Sequence, residues 1–223
     1  HKDINKIAFT GSTQVGKLIQ KSLAGRDVGL TLELGGKAAN IVYEDAAIDQ
    51  AVEGVVNGIF FNQGHVCCAG SRLLLQESIH DEFITKLEKR MQTLRVGNPL
   101  DKNTDIGAVN SKEQLNKIEE LVNEGVSDGG KIFQTECELP GNGFWFKPTL
   151  FTDVQPSYSI AREEIFGPVL TTLTFRTPQE AIEIANNTEY GLSAGVWTEK
   201  GSKILWTAAV SYTHLRAHET SNH

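Results

Sequence analysis

Strand and helix signals alternate along nearly the whole chain, and this alternation limits the architecture more than any other feature. Lys6-Ile7-Ala8-Phe9-Thr10 reads as a strand, followed by a Gly/Ser/Thr turn and a helix to about Ala24. Leu30–Leu34 and Ala39–Tyr43 read as further strands. Ile48, Ala51, Val52, Val55, Val56, Ile59 and Phe60 recur every 3.6 residues, which predicts a helix with an inward apolar stripe. Ser71–Gln76 is a short apolar strand. His80–Arg95 and Ser111–Glu124 carry amphipathic helical patterns, the first stopped by Gly97-Asn98-Pro99. Gly141-Asn142-Gly143 is a turn in a loop-rich stretch. Val169–Phe175 alternates and reads as a strand, Pro178–Asn187 as a helix with Pro near its first turn, and Leu192–Thr198 as a strand. Strands separated by helices predict an α/β architecture with a largely parallel sheet.

Composition narrows the partners. The 223 residues suffice for one large domain or two small ones, with a core that needs no metal or disulfide staple. A net charge of −7, with no Lys/Arg run, argues against nucleic acid or an anionic membrane as the main partner. No stretch approaches the roughly 20 apolar residues needed to cross a bilayer. Adjacent Cys67 and Cys68 are poor disulfide partners, and the third cysteine, Cys137, makes the total odd. A reducing, cytoplasmic compartment is expected, and no Cys or His spacing resembles a zinc site.

Both ends read as cut. His1-Lys2-Asp3 stands directly before a strand that runs into a motif, so the chain is expected to be an internal fragment of a longer protein. Val210-Ser211-Tyr212-Thr213-His214-Leu215-Arg216-Ala217-His218-Glu219-Thr220 resembles the translation of a transposon-type sequencing adapter. Residues 210–223 are therefore set aside as a non-native tail, including the helical spacing of His214 and His218.

Four segments carry candidate chemistry. Phe9-Thr10-Gly11-Ser12-Thr13-Gln14-Val15-Gly16 feeds a strand through a small-residue turn into a helix, whose free amides favour phosphate. It is not the G-x-G-x-x-G fingerprint, and such turns are also common punctuation. Leu32-Glu33-Leu34-Gly35-Gly36-Lys37 sets a carboxylate between two leucines. An apolar setting would raise its pKa and suit it to act as a base, whereas an edge strand would leave it a surface glutamate. Gly64-His65-Val66-Cys67-Cys68-Ala69-Gly70 displays a thiol in a Gly-bounded loop between a helix and a strand, where nucleophiles are often held. Cys68 and Cys137 are expected to be buried as small apolar residues. Glu163-Glu164-Ile165-Phe166-Gly167-Pro168 offers an acceptor for ribose hydroxyls and an aromatic for a flat heterocycle, or else a solvated acidic turn beside Arg162.

In this order and spacing the four segments resemble the aldehyde dehydrogenase superfamily, and Asn187-Thr188-Glu189-Tyr190-Gly191-Leu192-Ser193-Ala194-Gly195-Val196 fits the same pattern. The resemblance covers essentially residues 1–209. It implies the end of a Rossmann-like coenzyme-binding domain over 1–35, then a truncated α/β catalytic domain over 36–209. It makes Cys67 the nucleophile that forms a thiohemiacetal with an aldehyde and then a thioester, and Glu33 the base for the water that releases a carboxylic acid. Gly11, Ser12 and Gly16 would cradle the pyrophosphate. Leu34 would lie near the nicotinamide, Glu164 on its ribose, and Phe166 beside the ring. The second oxyanion donor and the residues that read the adenosine ribose would precede His1, so NAD is the default coenzyme and NADP stays open. The parent is expected to be a homodimer or homotetramer acting on a small-molecule aldehyde.

His65 stands where the resembled family usually has Gln, and a histidine two residues from a thiol is also a candidate base. Two other readings compete. A coenzyme A-acylating enzyme commonly lacks the carboxylate at position 33, and a non-catalytic protein of this fold would have lost Cys67 or Glu33. The isolated 223-residue chain is expected to be inactive or nearly so.

Overall fold

A computed structural model describes residues 1–212. β1 (Lys6–Thr10) and β2 (Gly29–Glu33) pair in parallel, Lys6 opposite Gly29 and Thr10 opposite Glu33, and α1 (Thr13–Leu23) crosses between them. The Ser12 hydroxyl caps α1 by accepting from the Val15 amide at 3.3 Å.

Through Leu34–Ala38 the chain enters a second, six-stranded sheet. Its members in chain order are β3 (Ala39–Val42), β4 (Arg72–Gln76), β5 (Lys131–Gln134), β6 (Thr149–Thr152), β7 (Val169–Phe175) and β8 (Ala194–Trp197). They lie in the spatial order β5-β6-β7-β4-β3-β8, and every neighbouring pair is parallel except antiparallel β5–β6. The helices are α2 (Ile48–Phe60), α3 (His80–Met91), α4 (Lys112–Ser127), the single turn α5 (Ser159–Arg162), α6 (Pro178–Asn186) and α7 (Gly201–Val210). This is the expected α/β architecture with a largely parallel sheet.

Side-chain alternation along β4 assigns the helices to faces. Leu73 and Leu75 point into a cluster with Val42 and with Val52, Val55, Val56, Ile59 and Phe60 of α2 and Phe83, Leu87 and Met91 of α3. Leu74 points the other way, with Ile41, Tyr43, Leu173 and Phe175, onto Ala181, Ile182 and Ala185 of α6. A strand covered on both faces reads as a continuous apolar run, as Leu73-Leu74-Leu75 does. The expected alternation in β7 is corrected on the same ground: six of its seven residues are buried, including Thr171 and Thr172. A third cluster packs Ile118, Leu121 and Val122 of α4 against Phe151, Ile160 and Ile165.

The sequence reading carries no element at β5, β6, α5 or α7. β5 is a four-residue, mostly exposed edge strand, and β6 follows Pro148 out of the loop-rich stretch. α7 exposes Ile204, Leu205 and Trp206, so it has no clean apolar stripe to detect. Of the segment set aside as a tail, Val210 ends α7 and its carbonyl accepts from Asn186 Nδ2 at 3.1 Å. The Tyr212 amide donates back to Asn186 Oδ1 at 2.9 Å. Residues 213–223, with His214 and His218, lie outside the described residues.

Candidate active site

The thiol loop is strained and tightly held. After α2, Asn62 and Gln63 both adopt left-handed backbone (φ 49° and 48°), and Gly64 follows at φ 76°. A Cβ at Gly64 would overlap the Gly167 carbonyl, so only glycine lets these two loops touch. Asn62 Nδ2 donates to the His65 carbonyl at 3.1 Å, and the Gly70 amide to the Gly58 carbonyl at 3.2 Å. The buried Arg72 then anchors the start of β4. Its guanidinium donates to the carbonyls of Lys37 (2.8 Å), Ile184 (3.0 Å) and Ala185 (2.8 Å). Cys67 is left half-buried at the top of this loop. Cys68 is exposed, which corrects the expectation of a buried residue, and Cys137 is half-buried. A turn that faces a cleft presents successive side chains to different surroundings, so apolar character alone does not bury both thiols.

The segments predicted to meet do converge. A Cβ on Gly35 would clash with Glu164 Oε2, and one on Gly36 with the Cys67 carbonyl. The Gly36 amide donates to Glu164 Oε1 at 2.9 Å. The Gly11 amide donates to the Glu33 carbonyl at 3.0 Å, tying the first turn to the end of β2. A cavity of about 490 Å3 opens between these segments, and Gly11, Ser12, Leu34, Cys67, Glu164 and Phe166 all line it.

Two expected site residues stand elsewhere. Gly16 is buried within α1, where a Cβ would meet Leu34 Cδ2 at 2.6 Å, so it lets the helix approach the cavity wall without forming it. Glu33 is exposed at the end of β2 and does not line the cavity. Its expected apolar setting is not observed, because adjacent strand residues face opposite ways and Leu34 takes the inward position. Among the described residues no group pairs with its carboxylate in a hydrogen bond or salt bridge.

Side chains that the sequence reading left without a role complete the wall. Gln114 and Lys117 of α4, three apart on one helix face, both line the cavity. Gln114 Nε2 donates to the carbonyls of Ile165 (2.8 Å) and Phe166 (3.0 Å), and Lys117 Nζ to that of Glu164 (2.8 Å). They clamp a turn whose Phe166 is itself left-handed, at φ 53°. Their helix reads as an ordinary amphipathic one, and only its polar face carries the signal.

Burial and nearby charges shift three groups around the site. Burial, then the neighbouring Cys68 and the charge of Glu164, hold the Cys67 thiol above its ordinary range. Burial pushes the His65 imidazole down. Fully buried Lys37 has no hydrogen-bond partner for Nζ, and burial with the nearby Arg72 charge pulls its pKa down to about 7. His65 belongs to the thiol loop, and neither of its ring nitrogens is hydrogen-bonded to Cys67. Its Nδ1 faces Gln63 Nε2 at 3.5 Å, and its buried Nε2 has no partner. Its ring stacks on that of Phe166, with centroids 5.2 Å apart and planes 8° from parallel. Among the described residues no helix is long and apolar enough to cross a membrane, and no cluster of His, Cys, Asp and Glu is arranged to hold a metal.

Known proteins resemble this chain in sequence and in fold. A family model described as the aldehyde dehydrogenase family matches residues 1–212. Retinal dehydrogenase 2 of Taeniopygia guttata is 49% identical over 210 residues, which cover 92% of this chain and 40% of that protein. A betaine aldehyde dehydrogenase of Staphylococcus aureus, solved in complex with NAD+, superposes with a TM-score of 0.89 at 38% identity, covering 94% of this chain and 42% of its own. An indole-3-acetaldehyde dehydrogenase in complex with NAD+ superposes at 0.92 with 40% identity, covering 96% and 44%. The chain thus spans about 40% of the length of the curated relatives it matches.

Proposed function

The chain belongs to the aldehyde dehydrogenase family, and on that premise we propose that it carries the thiol centre of an NAD-dependent oxidation of an aldehyde to a carboxylic acid. The observation that carries this reading is the shared cavity: Cys67 lines the same 490 Å3 space as Gly11, Ser12, Leu34, Glu164 and Phe166. The residues fit a dinucleotide. The α1 N-terminus turns the Ser12 amide toward a pyrophosphate, Gly11 on the wall leaves the space open, and Gly16 allows the close approach. Gly35 leaves room for Glu164, and we assign its remaining carboxylate oxygen to the ribose hydroxyls. Leu34 and Phe166 give apolar surface for a flat ring.

Bound NAD supplies the hydride acceptor. Cys67 Sγ, as thiolate, attacks the aldehyde carbon and forms a carbon–sulfur bond. The Cys67 backbone amide donates to the oxyanion that develops. Once the aldehyde carbon has been oxidised, the acyl group is held on Cys67 as a thioester. Glu33, next to the wall residue Leu34, is the base that the family resemblance implies; its exposed side chain has to swing in toward Cys67 to take a proton from the attacking water. The carbon–sulfur bond breaks and the acid leaves. Burial holds the proton on Cys67 Sγ, so it passes to solvent water or hydroxide before the attack, and the thiolate fraction grows with pH.

In this reading residues 1–35 close a coenzyme-binding domain and 36–209 form the catalytic domain. We also infer a cytoplasmic parent, from the free cysteines, that is a homodimer or homotetramer. NAD is the assigned coenzyme, with NADP as the alternative. The test is made on a protein of the relatives' full length that contains this chain. Aldehyde should yield acid and NADH in equal amounts without coenzyme A. Acyl-coenzyme A formation with no free acid would replace hydrolysis by acyl transfer.

A further inference from the structure

We propose that His65 is a positioning residue for Phe166: its flat ring fixes the Phe166 ring on the cavity wall and thereby sets how tightly the nicotinamide end of the coenzyme lodges beside Cys67. The inference rests on the reading of the cavity given above and adds a residue to it.

The backbone under Phe166 is over-determined. Its left-handed conformation is unfavourable for a residue with a bulky side chain. It is held by the two Gln114 bonds and by Gly64 pressed against the Gly167 carbonyl. None of these contacts fixes the ring, which turns about its own side-chain bonds. The contact that does is the parallel stack with His65.

His65 is an odd choice for that place by its polar chemistry. A buried ring nitrogen without a partner is destabilising, and the 3.5 Å approach of Gln63 to the other nitrogen is long. Neither nitrogen bonds the thiol. The charged groups lining the same cavity, Lys117 and Glu164, are engaged with the turn backbone and the Gly36 amide. What the imidazole supplies is a flat face, and that is the property Phe166 uses. A side chain of similar length without a ring, such as Gln, offers no such face.

The experiment compares wild type, H65F, H65A, F166A and H65A/F166A in a protein of the relatives' full length. It reads NAD affinity by protection of Cys67 from iodoacetamide, together with kcat and the KM of NAD and of aldehyde. H65A is expected to weaken NAD about fivefold while the aldehyde KM moves less than twofold. H65F is expected to restore NAD affinity to within about twofold of wild type. In the F166A background, H65A should have no further effect. If H65A fails to fold, H65L replaces it and is expected to show the same loss. The proposal is overturned if H65A binds NAD like wild type. It is also overturned if H65F is as weak as H65A, or if the H65A loss persists without Phe166. A wild-type protein that shows no protection by NAD overturns the cavity reading itself, and this proposal with it, which separates the two failures.

Discussion

The Gly36 amide donates to Glu164 Oε1 at 2.9 Å, across 128 positions of sequence. Through that bond the segment after β2 reaches the turn before β7, and Gly35 makes room for it. Replacing Gly35 with Ala puts a methyl where the Glu164 carboxylate lies. The expected result is a loss of NAD affinity of tenfold or more, read by coenzyme titration, with the iodoacetamide reactivity of Cys67 in the absence of NAD little changed.

Glu164 also acts on the thiol. Its negative charge disfavours thiolate, so it adds to burial and to Cys68 in holding the Cys67 pKa high. Alkylation of Cys67 should therefore rise with pH along a limb displaced to the alkaline side of an ordinary thiol. Glu164→Gln removes the charge and should move that limb toward lower pH. A limb that stays put in this variant would show that the carboxylate does not face the sulfur.

Glu33 tests the division of labour. It is exposed and off the cavity wall, so Glu33→Gln should leave alkylation of Cys67 and its protection by NAD unchanged. Steady-state acid formation should fall by about 10²- to 10⁴-fold, the usual contribution of a general base. Rapid-mixing measurements of NADH should retain the first turnover, because the base is needed after oxidation. Full steady-state activity would remove Glu33 from the mechanism.

Arg72 holds three backbone carbonyls in the interior at the foot of the thiol loop. Arg72→Met removes all three bonds and leaves the Ile184 carbonyl only the Asn187 amide at 3.3 Å. It is expected to destabilise the protein by about 3 kcal/mol or more, measured by urea unfolding, since hydrogen bonds from charged donors contribute about 1.5–3 kcal/mol each and do not add fully.

Lys37 contributes in the opposite sense. Its pKa is about 7 folded, against the ordinary 10.5. Between these values the unfolded chain holds a proton that the folded chain lacks, so this group makes stability rise with pH across that window. Below about 7 both states are protonated and its contribution is flat. Lys37→Met should raise stability at pH 7 and reduce the slope between pH 7 and 10.5, by thermal or urea unfolding.

The sequence made the frame legible where burial imposes a period. The α2 stripe and the run Leu73-Leu74-Leu75 each state what faces them. It also gave the site where one residue type is forced, as at Gly35, Gly36 and Gly64 against Glu164, Cys67 and Gly167. Where the environment is set by distant segments, local reading fell short. Neighbours of Glu33 suggest an apolar pocket, yet strand alternation turns it outward. Gln114 and Lys117 look like solvent-facing positions until the turn at Glu164–Phe166 is folded against them. β5 and β6 are short and closed by a pairing that local sequence does not encode.

The central claim rests on one sulfur atom facing the cavity. The direct measurement is aldehyde-dependent NADH formation by Cys67→Ala in a protein of the relatives' full length, checked for retained NAD binding. A fall of at least about 10³-fold with the coenzyme still bound is expected for loss of the nucleophile. Turnover equal to wild type would contradict the assignment of Cys67 and the chemistry built on it.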